Sequence, residues 1–387
     1  MIKDPNVRRF SDQEYHRRYR LTREWMEKEG FAALLFYGNP YGGAGILWLT
    51  NFSPRHDTYL IWPFEGEPTL LTQLFNHVPN AQRVSVIEDT RWAGSDSAVT
   101  AAEALAEKGV ERGRVGVIGK VPYTDFNKFV SRFPNVDFIP ANKGYTALRL
   151  VKSQEEMAWL QQGADFTDAA VDALIKAAAP GVSEFELAAA IEAAYTAAGG
   201  DHGIHFLSST PMASPKSYVP AQTQTSRRLE VGDAVISELS AGVGGYAGQI
   251  QRPIAIGQKP TANYQHVYDV ALEAYERILA VLKAGATTKQ VLDEADLIEK
   301  AGLTVCDDLF HGYGLGYLAP VLRTRATANS PQPEDFVFEE NMAVVVQPNV
   351  YDPETGAGLQ LGNLVRITAD GAVSMQKYPM GFYVCGE

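Results

Sequence analysis

The chain has 387 residues, 45% of them hydrophobic, and its 34 basic and 46 acidic side chains give a formal net charge of -12. This length exceeds what a single hydrophobic core normally spans, so two domains are expected. The acidic balance without a basic stripe argues against nucleic acid or a membrane surface as partner, and no apolar run reaches the ~18 residues that span a bilayer.

The first 150 residues alternate between predicted helices and predicted strands. The helices are Ser11–Glu29, Ser95–Lys108 and Tyr123–Phe133, and the strands are Phe31–Tyr37, Gly45–Leu49, Thr58–Trp62, Pro68–Leu71, Val84–Ile87, Val115–Ile118 and Val136–Ile139. Such alternation is typical of a small α/β domain. We therefore predict that residues 1–150 form one, with a mainly structural role.

One loop of this region carries candidate binding residues. Arg55 and His56 follow a proline at the junction between a loop and a strand. An exposed loop arginine is usually only solvated, but its guanidinium offers the fork of donors that a substrate carboxylate needs. Both residues are therefore kept as candidates.

Residues 151–387 contain the same helical pattern twice. Ser153 with Glu156, and Ser183 with Glu186, form capping boxes that predict a long helix to about residue 179 and a second helix to residue 199. The helices Tyr264–Lys283 and Lys289–Ala301 repeat this arrangement. Two such copies, each followed by strands, predict a duplicated α+β domain with pseudo-two-fold symmetry and a shared curved antiparallel sheet.

The segment Leu229–Ile256 predicts two strands around a glycine-rich turn. Glu238, Gln249 and Gln251 interrupt its apolar pattern at positions where a buried strand normally carries valine or isoleucine. Buried polar groups need partners, and departures from pattern of this kind are often functional. We therefore predict that this hairpin forms the floor of an active site.

Three further segments complete the predicted sheet. His311 opens a glycine-rich loop, His311-Gly-Tyr-Gly-Leu-Gly316, and Met342–Tyr351 is a strand ended by a proline. Leu359–Thr368 alternates apolar and polar side chains, as a strand with one wet face does.

Five segments in this order resemble the creatinase, prolidase and aminopeptidase P superfamily over essentially the full chain. They are the linker helix Leu148–Met157, the segment Ala179–Glu184, the hairpin Gly232–Arg252, the loop His311–Gly316 and the strand Val346–Tyr351. The resemblance implies a creatinase-type N-terminal domain at residues 1–150 and a pita-bread catalytic domain at residues 151–387.

The metallopeptidases of this superfamily hold two divalent ions with two aspartates, one histidine and two glutamates. By resemblance these positions fall on Glu238, Gln249, His311, Gln347 and Gly362. One acid, one imidazole and two neutral amides are a poor set for two hard dications. We therefore predict no dinuclear site and no cofactor, and leave open a single ion held by Glu238 and His311.

The loss of most metal ligands at these positions indicates the metal-free branch of the superfamily, which creatinase represents. Arg55 matches an arginine that in creatinase reaches the neighbouring subunit's substrate carboxylate, and Arg323 lies one residue from a second such position. The histidine that precedes the hairpin in these enzymes has no counterpart in Ser217–Ala221. The resemblance therefore implies a homodimer and a creatinase-like enzyme that is not creatinase itself.

Proton transfer would fall to Glu238 and His311, because the surrounding glutamines offer only amide groups. Gln249, Gln251, Gln347 and Tyr246 are predicted to line the substrate pocket with them. A lone carboxylate among amides should be desolvated and its pKa raised. The alternatives are a Glu238 side chain paired with Arg252, a His311 ring that only packs, and an imidazole supplied by His202 or His205.

The preferred hypothesis is a metal-independent hydrolase acting on a carbon–nitrogen bond of a small carboxylate-bearing molecule. A metal-free lyase acting by elimination and a non-catalytic binding module are the alternatives. Only two cysteines, Cys306 and Cys385, occur, without a disulfide framework or a signal peptide, which predicts a cytoplasmic protein. Cys306 is either a nucleophile or, as expected for most free cysteines, a buried inert thiol.

Overall fold

A computed structural model describes residues 4–386 of the chain. Residues 1–3, at the terminus where no signal peptide is predicted, and residue 387 lie outside this range. The chain divides into two units, Met1–Arg149 and Leu150–Glu387. Within the described range, no helix combines the length and the apolar character that crossing a membrane requires.

The first unit is a mixed six-stranded sheet with helices. Its strands are β1 (Phe31–Gly38), β2 (Thr58–Pro63), β3 (Thr69–Thr72), β4 (Asp89–Trp92), β5 (Gly113–Ile118) and β6 (Val136–Pro140). Its helices are α1 (Asp12–Glu29), α2 (Ala44–Thr50), α3 (Val78–Val84), α4 (Ser97–Glu107), α5 (Tyr123–Arg132) and α6 (Asn142–Ala147), with a 3-10 turn at Phe75–His77. The strand order is β4-β3-β2-β1-β5-β6, and the apolar strand β1 pairs antiparallel with β2 and parallel with β5.

Two strands predicted in this unit are wrong. The run Gly45–Leu49 is part of helix α2, which buries Ile46, Trp48 and Leu49, because a short apolar run does not distinguish a strand from a buried helix. The run Val84–Ile87 ends helix α3 and continues as a loop. Its Val86 amide donates to the carbonyl of Thr50 instead of to a neighbouring strand.

The second unit contains five helices and thirteen strands among the described residues. The helices are α7 (Gln154–Ala177), α8 (Glu184–Thr196), α9 (Ala262–Val281), α10 (Thr288–Ala295) and α11 (Leu297–Lys300). The strands are β7 (Asp201–Pro211), β8 (Asp233–Val243), β9 (Tyr246–Ala247), β10 (Ile250–Gln251), β11 (Ile254–Ile256), β12 (Thr304–Val305), β13 (Phe310–Gly314), β14 (Gly316–Leu322), β15 (Ala343–Val346), β16 (Val350–Tyr351), β17 (Gly362–Ile367), β18 (Ala372–Ser374) and β19 (Tyr383–Cys385).

Eleven of these strands form one sheet. Its main order is β14-β13-β15-β17-β10-β8-β11-β19, with β7 and β9 paired to β8 and β18 paired to β17. The pairs are antiparallel except β11 with β19, which is parallel. Strands β12 and β16 form a separate antiparallel pair.

The helices of this unit begin where the capping residues predict. Ser153 with Glu156, and Ser183 with Glu186, form capping boxes at α7 and α8. The predicted helix Lys289–Ala301 is instead two helices, α10 and α11, that meet at Asp296. Strand β17 also differs from the prediction, because both of its faces are buried over most of its length.

The helices pack on the apolar side of the sheet. Helices α7 and α8 cover Leu239 and Ile250, and helices α9 and α10 cover Val344 and Val346. Side chains alternate between the two faces of a strand, so the neighbours of these residues point to the opposite face. That opposite face carries the polar residues.

Candidate active site

The polar side chains lie across neighbouring strands on one face of the sheet. Leu239 pairs with Ile250, Gln251 with Gly362, and His311 with Val345. Paired residues in adjacent strands share a face, and alternation then places Glu238, Gln249 and Gln251 on the same face, with His311 and Gln347 beside them. The predicted hairpin floor therefore extends over β8, β10, β15 and β13.

A network of amide groups joins these residues. Gln249 Nε2 donates to Glu238 Oε1 and to Gln347 Oε1, both at 2.8 Å. Gln251 Nε2 also donates to Gln347 Oε1 at 2.8 Å, and Gln347 Nε2 donates to the Asp308 carbonyl at 3.0 Å. Gln249 thus uses both of its N–H groups inside the protein and has none left for a substrate oxyanion.

Glu238 is the acid of this network and joins it through Gln249. It is only 7% exposed, and burial raises its pKa to about 7, helped by the nearby charges of Asp307 and Asp308 and opposed by a hydrogen bond from Gln360. This rise in the pKa is the one predicted from the sequence. A carboxyl group with this pKa exchanges protons near neutral pH, as a general acid or base must.

Arg252 does not neutralise Glu238. All five guanidinium N–H groups are engaged elsewhere, with the carbonyls of Gln251, Gly362, Tyr378 and Pro379 and the side-chain oxygen of Asn363. An arginine has five such donors, so none remains for the carboxylate. The alternative of a Glu238–Arg252 pair is therefore excluded.

His311 lies in strand β13 and not in a loop, contrary to the prediction. Its ring is 1% exposed and stacks on Tyr317, with ring centroids 4.1 Å apart. Nδ1 lies 3.1 Å from the Gly312 carbonyl oxygen, which can only accept, so Nδ1 carries the hydrogen and Nε2 is the acceptor. Burial lowers the pKa of His311 to about 4, which keeps the ring neutral at pH 7.

A second group of charges adjoins this site and was missed in the sequence. The charges of Asp307 and Asp308 both raise the pKa of Glu238. Burial raises the pKa of Asp307, and Tyr317 donates a hydrogen bond to Asp308. Arg323 Nε lies 3.3 Å from Asp308 Oδ1. Asp307 and Asp308 come shortly before strand β13, which carries His311. This position in the sequence is the signal that could have identified them.

Two of the predicted pocket residues are placed elsewhere. The Tyr246 hydroxyl donates to Glu156 Oε1 of helix α7 at 2.7 Å, so its side chain anchors that helix. His205 pairs with Leu239 and therefore lies on the helix-covered face, opposite Glu238. Its Nε2 is 3.0 Å from the Tyr195 hydroxyl. Neither residue joins the amide network.

Arg55 and His56 belong to the first unit. The Arg55 side chain is exposed, and the His56 ring is partly buried beside His77, with centroids 4.8 Å apart. Their contribution to a substrate site stays a prediction. Cys306 is half-buried, and burial together with Asp307 raises its pKa to about 11, so the thiol is not a nucleophile at neutral pH.

The residues at the five positions of the implied dinuclear centre do not fit two metal ions. A Cβ at Gly362 would lie 2.4 Å from the Val346 carbonyl oxygen and 2.5 Å from Gln251 Oε1, so no ligand side chain has room there. Gln249 directs N–H groups, and not an oxygen, toward Glu238 and Gln347. One carboxylate and one imidazole then remain, too few for two hard dications.

Two protein-family models match consecutive parts of the chain. The family model described as Metallopeptidase family M24 matches residues 158–369, and the Creatinase/Prolidase N-terminal domain matches residues 17–151. Among curated proteins, an Xaa-Pro dipeptidase of Pyrococcus horikoshii is 24% identical over 92% of this chain and 95% of its own. The creatinase of a Bacillus species is 24% identical over 96% of this chain and 92% of its own.

Solved structures give the same fold. The prolidase of Pyrococcus horikoshii OT3 matches with a TM-score of 0.79 at 22% identity, over 94% of this chain and 99% of its own. An X-Pro aminopeptidase of Thermotoga maritima matches with a TM-score of 0.82 at 21% identity, over 95% of this chain and 99% of its own. The predicted fold class, an α/β N-terminal domain followed by a pita-bread domain, is confirmed.

These relatives correct the predicted function. A metal-independent hydrolase of a small carboxylate-bearing molecule is contradicted by relatives named Xaa-Pro dipeptidases and by a family described as metallopeptidases. The same relatives contradict the two alternatives, a metal-free lyase and a non-catalytic binding module. The prediction was wrong because it was argued from a few positions, the metal ligands and two arginines, whereas the family match and the dipeptidase relatives rest on most of the chain.

Proposed function

Because the chain belongs to metallopeptidase family M24, with a creatinase/prolidase N-terminal domain before it, we propose that it is a hydrolase of the peptide bond in short peptides. The observation that carries the proposal is the buried Glu238, whose pKa of about 7 suits proton transfer at neutral pH. The names of the relatives support a dipeptide-sized substrate.

Glu238 transfers the proton in this proposal. It accepts a proton from a water molecule as the water oxygen adds to the substrate carbonyl carbon, and it passes that proton to the leaving nitrogen as the carbon–nitrogen bond breaks. Gln249 holds the carboxylate in place through its 2.8 Å hydrogen bond. In this proposal the substrate donates two hydrogen bonds, one to Nε2 of the neutral His311 and one to Gln251 Oε1. Gln251 Oε1 has no hydrogen-bond partner among residues 4–386.

The charges around Glu238 favour a peptide with free ends. Glu238, Asp307 and Asp308 are neighbouring carboxyl groups. Each adds a negative charge when it is ionised, and together these charges attract a protonated amino terminus. Arg323 lies beside Asp308 and is about one-third exposed, so it is placed to meet a terminal carboxylate. A free dipeptide carries both charges.

A panel of peptides tests this function. We expect hydrolysis of free dipeptides, including Xaa-Pro sequences, and a kcat/KM at least about tenfold lower for their N-acetylated forms, because the amino-terminal charge is lost. Products are measured by mass spectrometry, with the protein as purified and with added divalent ions. Absence of peptide hydrolysis in every condition would overturn the proposed function, and equal rates for N-acetylated peptides would overturn the role of the acids.

We further propose a cytoplasmic homodimer in which Arg55 and His56 of one subunit complete the site of the other. The exposed Arg55 side chain supports the shared site. The two free cysteines support a reducing compartment such as the cytoplasm. The expected results are a dimer mass in analytical ultracentrifugation and a raised KM for Arg55→Ala with little change in kcat. A monomer with full peptidase activity would contradict the shared site.

A further inference from the structure

A second cluster of ligand-type side chains lies away from the active site, between helix α8 and the start of strand β7. It consists of Glu192, His202 and His205. His202 pairs with Ala241 and His205 with Leu239, two residues that lie on the helix-covered face of β8. The cluster is therefore separated from Glu238 by the thickness of the sheet.

A bulge in β7 brings the two histidines together. Residues three apart in a regular strand point to opposite faces, but the register of β7 shifts between His202 and Ile204, with Gly203 as the extra residue. A Cβ at Gly203 would lie 2.6 Å from the Ser240 carbonyl oxygen, so glycine is required for this close approach. The two rings consequently stand 4.4 Å apart, centroid to centroid.

The ligand atoms are spaced as a tetrahedral ion requires. Glu192 Oε1 lies 3.3 Å from His202 Nδ1 and 3.6 Å from His205 Nδ1, and the three ligand atoms all lie within 4.8 Å of one another. Zinc–nitrogen and zinc–oxygen bonds of about 2.1 Å at tetrahedral angles place neighbouring ligands roughly 3.4 Å apart. Small side-chain adjustments would complete three corners of a tetrahedron.

His205 is prepared for metal binding. Its side chain is 3% exposed, and within the described residues its Nδ1 has no hydrogen-bond partner although it faces the Glu192 carboxylate. Its Nε2 lies 3.0 Å from the Tyr195 hydroxyl, which fixes the ring as an outer contact of a metal-bound histidine does.

We propose that Glu192, His202 and His205 bind one divalent transition-metal ion of the zinc type. Two imidazoles and one carboxylate suit zinc and its neighbours, and the ion would bind His205 Nδ1, which has no hydrogen-bond partner among the described residues. Glu192 and His202 are about half exposed, which gives the ion access from solvent. The bound ion would tie the end of α8 to β7 and leave the fourth corner to water.

Cobalt and zinc binding to the chelator-treated full chain, without a histidine tag, tests this site. The protein carries Glu238→Gln, which removes the acid that could hold an ion at the active site. We expect it to bind about one Co²⁺ per chain, with the visible absorption of a tetrahedral site. Zn²⁺ should displace the Co²⁺ and raise the melting temperature. His202→Ala and Glu192→Gln should each weaken binding about tenfold or more, because each removes one of three ligands. Both side chains are exposed, so these variants should fold normally.

His266→Ala is the matched control, because His266 is an exposed histidine on helix α9 outside the cluster. It should bind Co²⁺ as the parent does. On the wild-type background, His202→Ala should leave peptide hydrolysis unchanged, since the cluster lies on the other face of the sheet. The proposal is overturned if the parent shows no tetrahedral cobalt spectrum, or if His202→Ala and Glu192→Gln bind Co²⁺ as tightly as His266→Ala.

Discussion

Replacement of Glu238 by glutamine is expected to lower kcat/KM for peptide hydrolysis by about 10²- to 10⁴-fold, the usual contribution of a general acid or base. Glutamine has nearly the shape of glutamate and can still accept the hydrogen bond from Gln249, but it cannot transfer a proton. In the wild type, kcat/KM should fall as the pH drops below about 7, where Glu238 becomes protonated. Steady-state kinetics of both proteins between pH 5 and 9 measure the two effects.

The stability of the same variant separates lost chemistry from lost folding. Because the pKa of Glu238 is about 7 in the folded protein and near 4.5 when exposed, its contribution to stability is fully present below pH 4.5 and is lost as the pH rises through 7. Glutamine is neutral throughout, so Glu238→Gln should match the wild type at pH 4. At pH 8 it should be more stable by up to about 3 kcal/mol. An inactive variant that is also less stable at pH 8 would contradict this account of Glu238.

Replacement of Gly362 by alanine is expected to destabilise the second unit by about 2–4 kcal/mol, because the new Cβ overlaps packed atoms. It would lie 2.4 Å from the Val346 carbonyl oxygen, 2.5 Å from Gln251 Oε1 and 2.9 Å from Gln347 Cα. Two of these atoms belong to backbone, which cannot move without disturbing the sheet. The amide network should be displaced at the same time. Denaturant unfolding followed by tryptophan fluorescence measures the loss.

Gly371→Ala is the matched control for Gly362→Ala. A Cβ at Gly371 meets no other atom within 4 Å, and the residue lies outside the active site. This variant should unfold within about 0.5 kcal/mol of the wild type, as most surface substitutions do. Equal unfolding midpoints for the two alanine variants would show that position 362 has room for a side chain, and the misfit to a dinuclear centre would lose one of its supports.

Local signals in the sequence predicted the helices of the second unit well. The capping boxes at Ser153 and Ser183 specify helix starts because each depends on residues only three positions apart. The predicted strand Gly45–Leu49 was wrong because nothing local distinguishes a short apolar strand from a buried helix. Five motifs between Leu148 and Tyr351 were sufficient to identify the fold, because that many short motifs do not occur in the family's order by chance.

The sequence by itself determined which polar residues enter the sheet, and it identified Glu238 as a desolvated acid. The pairing of Glu238 with His311 in proton transfer stays a prediction. Only the tertiary structure decided where the other side chains point. His205 lies opposite Glu238 and beside His202 because pairing with β8 and a one-residue bulge fix its face. Gln249 likewise directs both N–H groups inward because its partners, Glu238 and Gln347, come from other strands. Faces and hydrogen-bond directions depend on contacts between residues far apart in the chain, and no local pattern specifies them.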